Sequence, residues 1–146
     1  MKKISSVISL SVLFILLFVT PVIGSEDWVK IYYDDESVCL YNKVSIKHLT
    51  KDIVQVWEKT LYSYKGKEET IEWMTKSGLS TEGYDKLSEN RILYEIDCEK
   101  KRMRILSINE YDIDGKVLFS RDNIKSEWNN IIPDSNGYNL RKKVCK

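Results

Sequence analysis

What the chain has little of narrows its chemistry at once. His48 is its one histidine, whereas metal centres of exported enzymes ordinarily draw on several such ligands, so a solitary surface imidazole is expected. The sequence contains no Gly-x-Ser-x-Gly elbow, no His-Glu-x-x-His pair and no phosphate-cradling glycine loop; the signatures of serine hydrolases, zinc proteases and nucleotide-binding proteins are therefore missing. The stretch Asp112-Ile113-Asp114-Gly115 opens like a calcium loop but lacks the later oxygens and the closing Glu, which leaves a hairpin turn. Asp34 and Asp35 are a carboxylate pair of the kind common in turns. No catalytic residue, metal ligand or cofactor site is assigned, and no enzymatic activity is expected. Charge of one sign is lacking too: 23 basic side chains face 22 acidic ones. A near-neutral chain has no global field to collect nucleic acid or an anionic membrane, so any electrostatic partner must be read by a local patch.

The single long apolar run lies at the N-terminus. Lys2 and Lys3 precede a stretch from Val7 to Val19 interrupted by Ser9 and Ser11, and Pro21, Val22, Ile23 and Gly24 follow. A basic start, a short apolar centre and a small residue before the cut describe a secretory signal peptide over residues 1–24. The run falls short of the roughly 20 residues a bilayer span requires. No cysteine follows the cut, which argues against a lipid anchor. Residues 25–146 then form one exported domain, with four Trp and nine Tyr among ample core material and no internal repeat or linker.

Three cysteines in an oxidising compartment suggest one disulfide and one odd thiol. Counting leaves three pairings open: Cys39 with Cys98, Cys39 with Cys145, or Cys98 with Cys145. Local pattern favours the last. Ile92, Tyr94, Ile96 and Cys98 alternate with Leu93, Glu95 and Asp97, which turns Cys98 toward the apolar side of a strand. Around Cys145, Leu140 and Val144 are four apart, and Pro133, Asp134 and Ser135 give a helix-start signal. A helix of about eight residues is marginal alone and needs an anchor. Cys39 is left as a buried small hydrophobe or as a partner in an intermolecular bond; pairing it with His48 as nucleophile and base has no motif behind it.

The segments LYEIDCEKKRMRILS, YDIDGKVL and EWNNIIPDSNGYNLRKKVC resemble those of the surface-adhesin protein E family of small exported bacterial proteins. DWVKIYYDDESVCLYNKVSI and DIVQVWEKTLY fit the family's first strands, so the similarity spans essentially the whole chain after the leader. The resemblance implies an α+β fold: an antiparallel sheet of about six strands with a short C-terminal helix stapled to it by a bond between Cys98 and Cys145. It also implies adhesion, since named members bind host extracellular proteins such as plasminogen, vitronectin and laminin.

Strand patterns cover Trp28 to Tyr33, Val38 to Tyr41, Ile53 to Tyr64, Arg91 to Cys98, Arg102 to Tyr111 and Val117 to Ser120. Ile53, Trp57 and Leu61 also fit a helical row, but the β-branched and aromatic content of their segment favours a strand. Lys67 to Lys76 can form a helical turn or two, and Ser77 to Asn90 reads as a long mobile loop. Two basic clusters flank the cysteines: Lys100, Lys101, Arg102 and Arg104, then Arg141, Lys142, Lys143 and Lys146. If the disulfide forms it draws them together into a candidate patch for acidic polysaccharide or acidic protein segments. The leading expectation is thus an exported, adhesin-like binding module for extracellular or cell-envelope macromolecules, in the periplasm, at the cell surface or outside the cell. The alternatives are an accessory component of an envelope assembly, contacting other subunits through a sheet edge or Cys39, and a periplasmic small-molecule carrier.

Overall fold

The computed structural model describes residues 27–145; the expected leader and Lys146 lie outside them. One antiparallel sheet organises the chain, with its strands in the order β1 (Trp28–Tyr33), β2 (Ser37–Asn42), β4 (Ile53–Tyr62), β5 (Leu87–Asp97), β6 (Arg102–Asp112) and β7 (Val117–Arg121). Two-residue strands β3 (Lys47–His48) and β8 (Asn129–Asn130) pair with β4 and β6 off this path. The six-strand α+β expectation is met, with two short additions and a second helix, α1 (Tyr64–Lys76), besides the C-terminal α2 (Asn136–Val144).

Alternation along β4 explains where the core lies. Successive side chains point to opposite faces, so Val54, Val56, Glu58, Thr60 and Tyr62 share one side. Val54 pairs with Ile96 and Val56 with Tyr94 on β5, while Tyr41 of β2 lies opposite Glu58. Helix α2 covers one end of this side, packing Leu140 and Val144 against Tyr41, Val54, Val56 and Ile96. Leu140, Val56 and Ile96 have no exposed surface at all, and each such side chain contributes roughly 1.5–3 kcal/mol of transfer free energy. Helix α1 packs at the other end, where Met74 meets Tyr84 and Leu87 with Tyr62, Ile71 and Leu118 beside them.

Both helices begin on a serine. Ser63 accepts the Gly66 amide and Ser135 the Tyr138 amide, satisfying donors that the first helical turn otherwise leaves open. Gly66 is required by space: a Cβ there would stand 2.2 Å from the Glu36 carbonyl oxygen. Helix α2 is tied down covalently by the Cys98–Cys145 bond, which joins residues 47 apart in sequence with Cα atoms 5.6 Å apart. The Arg141 guanidinium adds two donations to the Cys98 carbonyl, at 2.7 and 3.2 Å.

Two expectations need correction. Ser77 to Asn90 is not one long loop: Gly83 takes a left-handed φ of 81° into a 3-10 turn over Tyr84–Lys86, and β5 starts at Leu87. Tyr84 and Leu87 are buried under α1, which a polar segment with two glycines conceals. Helix α1 is also three residues longer at its start than Lys67, because the strand read through Tyr64 ends at Tyr62 and Ser63 caps the helix.

Candidate functional site

The hairpin of β5 and β6 decides what the first basic cluster can do. Its turn spans Cys98 to Lys101, and the register sets Asp97 opposite Arg102 and Glu95 opposite Arg104. These four side chains emerge on the sheet face away from α2. Arg102 Nε donates to Asp97 Oδ2 at 3.0 Å, and the Arg104 guanidinium donates to Glu95 Oε1 at 2.6 and 2.9 Å. Glu95 also accepts from Gln55 at 2.9 Å. Trp128 lies over both arginines, 4.9 and 4.6 Å from ring centre to guanidinium carbon, an arrangement in which ring and cation attract. The Asp97 carboxyl is held below its usual range, chiefly by the Lys100 backbone amide and then by Arg102. Arg102 and Arg104 therefore have acidic partners within their own sheet.

Lys100 and Lys101 sit exposed at the hairpin turn, and Lys142 and Lys143 are exposed on the last turn of α2. Each lies two or three residues from one of the bonded cysteines, so the staple brings the two backbone segments that carry these lysines to one end of the sheet. Lys142 also stands 5.3 Å from the Tyr138 ring centre. Arg141 is spent on the Cys98 carbonyl. The disulfide thus joins the two segments that carry the lysines, while the sheet keeps Arg102 and Arg104 on its other face.

Cys39 is buried, 3.6 Å from Thr60 Oγ1 and 3.7 Å from Asn136 Nδ2. Burial pushes its thiol pKa up, the reverse of what a nucleophile needs. His48 is exposed on β3 opposite Val54, whereas Cys39 lies opposite Thr60, six residues along the same strand. That separates them by roughly 20 Å, and the Cys39 sulfur is inaccessible to another chain. Asp112 accepts the amides of Asp114 and Lys116 through Oδ1, with Gly115 at a φ of 80°, so the suspected calcium segment is a turn. Among the described residues no cluster of three or more metal-ligating side chains occurs and no helix is long and apolar enough to cross a membrane.

Sequence reading missed two features of the helix-covered face. Between the helices, Glu58 is buried against an apolar floor, and desolvation pushes its carboxyl up to about 7. Toward the β7 edge, α1, the 3-10 turn, β6 and β7 enclose an open cleft of about 770 Å³ walled by Trp73, Met74, Leu79, Leu118 and Phe119. The signal for the first was the i, i+2 row Val54, Val56, Glu58 on β4, which carries a carboxylate onto the apolar side of the strand.

A family model described as Surface-adhesin protein E matches residues 20–146. No curated protein and no solved structure matches the chain.

Proposed function

Because the chain belongs to the surface-adhesin protein E family, we propose that it is an exported, non-enzymatic binding module that recognises extracellular or cell-envelope macromolecules. The leader over residues 1–24 would be removed, and residues 25–146 would act as one domain in the periplasm or at the cell surface. The observation that supports a recognition surface is the exposure of Lys100, Lys101, Lys142 and Lys143, each within three residues of the Cys98–Cys145 bond. Four exposed ammonium groups on a nearly neutral chain create a local field suited to acidic polysaccharide or acidic protein segments. Lys146, outside the described residues, would extend the same end.

Exposed lysines bind through screened charge, so the interaction should fall steeply as salt rises. We expect the mature domain to be retained on an immobilised sulfated polysaccharide at low ionic strength. The variant carrying Ala at positions 100, 101, 142 and 143 should bind at least tenfold more weakly, a loss of about 1.4 kcal/mol. Arg102→Ala should instead act mainly on stability, because its partner Asp97 is buried. Retention of the quadruple variant equal to wild type across the salt series would remove the patch. The envelope-assembly alternative keeps the open edge of β7 as a contact but loses Cys39 to burial.

A further inference from the structure

The cleft beside α1 has a polar complement as particular as its walls. Two of its hydroxyls already have acceptors: Thr70 Oγ1 donates to the Gly66 carbonyl of its own helix at 2.8 Å, and the Tyr84 hydroxyl donates to Glu110 Oε2. Glu82 and Glu110 bring carboxylates to the lining, and Asn90 lies there too. Asn90 Oδ1 is the one buried side-chain oxygen or nitrogen among the described residues that has no hydrogen-bond partner. An acceptor buried without a donor costs about 1–3 kcal/mol, and native proteins carry few of them. Around this acceptor end stand apolar walls left open to solvent, with Trp73 62% and Phe119 42% exposed.

We propose that the cleft receives a lysine or arginine side chain presented by a partner protein. The aliphatic stem would lie against Met74 and Leu118, and the cationic head would donate to Glu110 and to Asn90 Oδ1. The exposed rings of Trp73 and Phe119 offer faces over which a cation is attracted. An uncharged sugar could stack on the same rings, but it would leave the Glu82 and Glu110 carboxylates of the lining without a countercharge, which a cationic side chain supplies. Lys116, exposed at the rim on the β6–β7 turn, disfavours a partner segment with several positive charges and selects one cation among neutral or acidic neighbours. This inference rests on the reading of the protein as a binding module, and it uses a different surface from the lysines near the disulfide.

The test is titration of the ¹⁵N-labelled chain without its leader by three capped peptides: Leu-Lys-Leu-Asp, the same peptide with norleucine for lysine, and the same with glutamate. A neutral glucan tetrasaccharide is the fourth probe, and Trp73→Phe assigns the Trp73 indole signal. The expected result is saturable displacement of that signal by the lysine peptide, with at least tenfold weaker binding of the norleucine peptide. Glu110→Gln, which keeps an oxygen for the Tyr84 hydroxyl, should weaken the lysine peptide at least tenfold while the thermal midpoint moves by only about 2 °C. Lysine-to-alanine changes at 142 and 143 should leave the peptide unaffected. Equal binding of the lysine and norleucine peptides, displacement by the glucan alone, loss of the peptide on changing 142 and 143, or no displacement by any probe would overturn the proposal. The peptide comparison leaves the protein unaltered, so it decides the matter even if Glu110→Gln unfolds. Failure here with intact polysaccharide binding would leave the wider binding-module reading standing.

Discussion

Glu58→Gln is expected to stabilise the protein by about 3 kcal/mol at pH 8 and by under about 0.5 kcal/mol at pH 4.5. Burial raises the Glu58 carboxyl from 4.5 to about 7 in the folded chain. A raised acid favours folding while it holds its proton. That contribution is therefore complete below about pH 4.5, declines as the pH climbs, and is gone above about pH 7. The difference of about 2.5 in pKa corresponds to about 3 kcal/mol at 1.36 kcal/mol per unit. The titratable groups that feel its charge are Cys39, Tyr62 and Tyr94, all neutral at physiological pH. Tyr62 is itself pushed up to about 12 and Tyr94 is raised as well, mainly by burial. Denaturant unfolding of both proteins at the two pH values checks this. Exposed acids such as Asp34 titrate alike in both, so they cancel in the comparison. A difference that is the same at both pH values would show that Glu58 ionises freely in the folded chain.

Removing the Cys98–Cys145 bond should cost about 4 kcal/mol, the chain-entropy value for closing a loop of this length, given its separation of 47 residues. The consequence is local before it is global. Helix α2 has nine residues, too few to persist without docking, and it carries Leu140 and Val144 of the main core. In the Cys98→Ser, Cys145→Ser double variant, amides of α2 should exchange much faster than those of β4 and β5, and the denaturation midpoint should fall. The Arg141 bonds to the Cys98 carbonyl would remain as the weaker tether. A loss under 1 kcal/mol would show that packing alone holds the helix.

Much of this architecture can be read from alternation. Trp28–Tyr33 is a strand with the expected limits, and the apolar row Ile92, Tyr94, Ile96 turns Cys98 to the side on which α2 packs. Ser135 caps α2 where the Pro-Asp-Ser signal lies. The beginning of β5 was illegible because Leu87, Ser88, Glu89 and Asn90 look like loop, yet a bulge between Leu87 and Glu89 lets the segment join the ladder. Counting charges by sequence proximity overstated the basic patch: Arg102 and Arg104 are two apart, and so are Glu95 and Asp97 across the turn. A hairpin centred on Cys98 to Lys101 must pair them. The cleft depends on α1, Gly83 and β7 meeting over long sequence distances, which no local period encodes.

We propose that this chain works by adhering, and adhesion can be measured directly. Cells that do not adhere by themselves, displaying residues 25–146 on their surface, should attach to coats of extracellular-matrix protein or acidic polysaccharide, and soluble domain added in excess should block them. Attachment no greater than that of cells displaying an unrelated sheet protein of similar size, on every coat, would contradict the account.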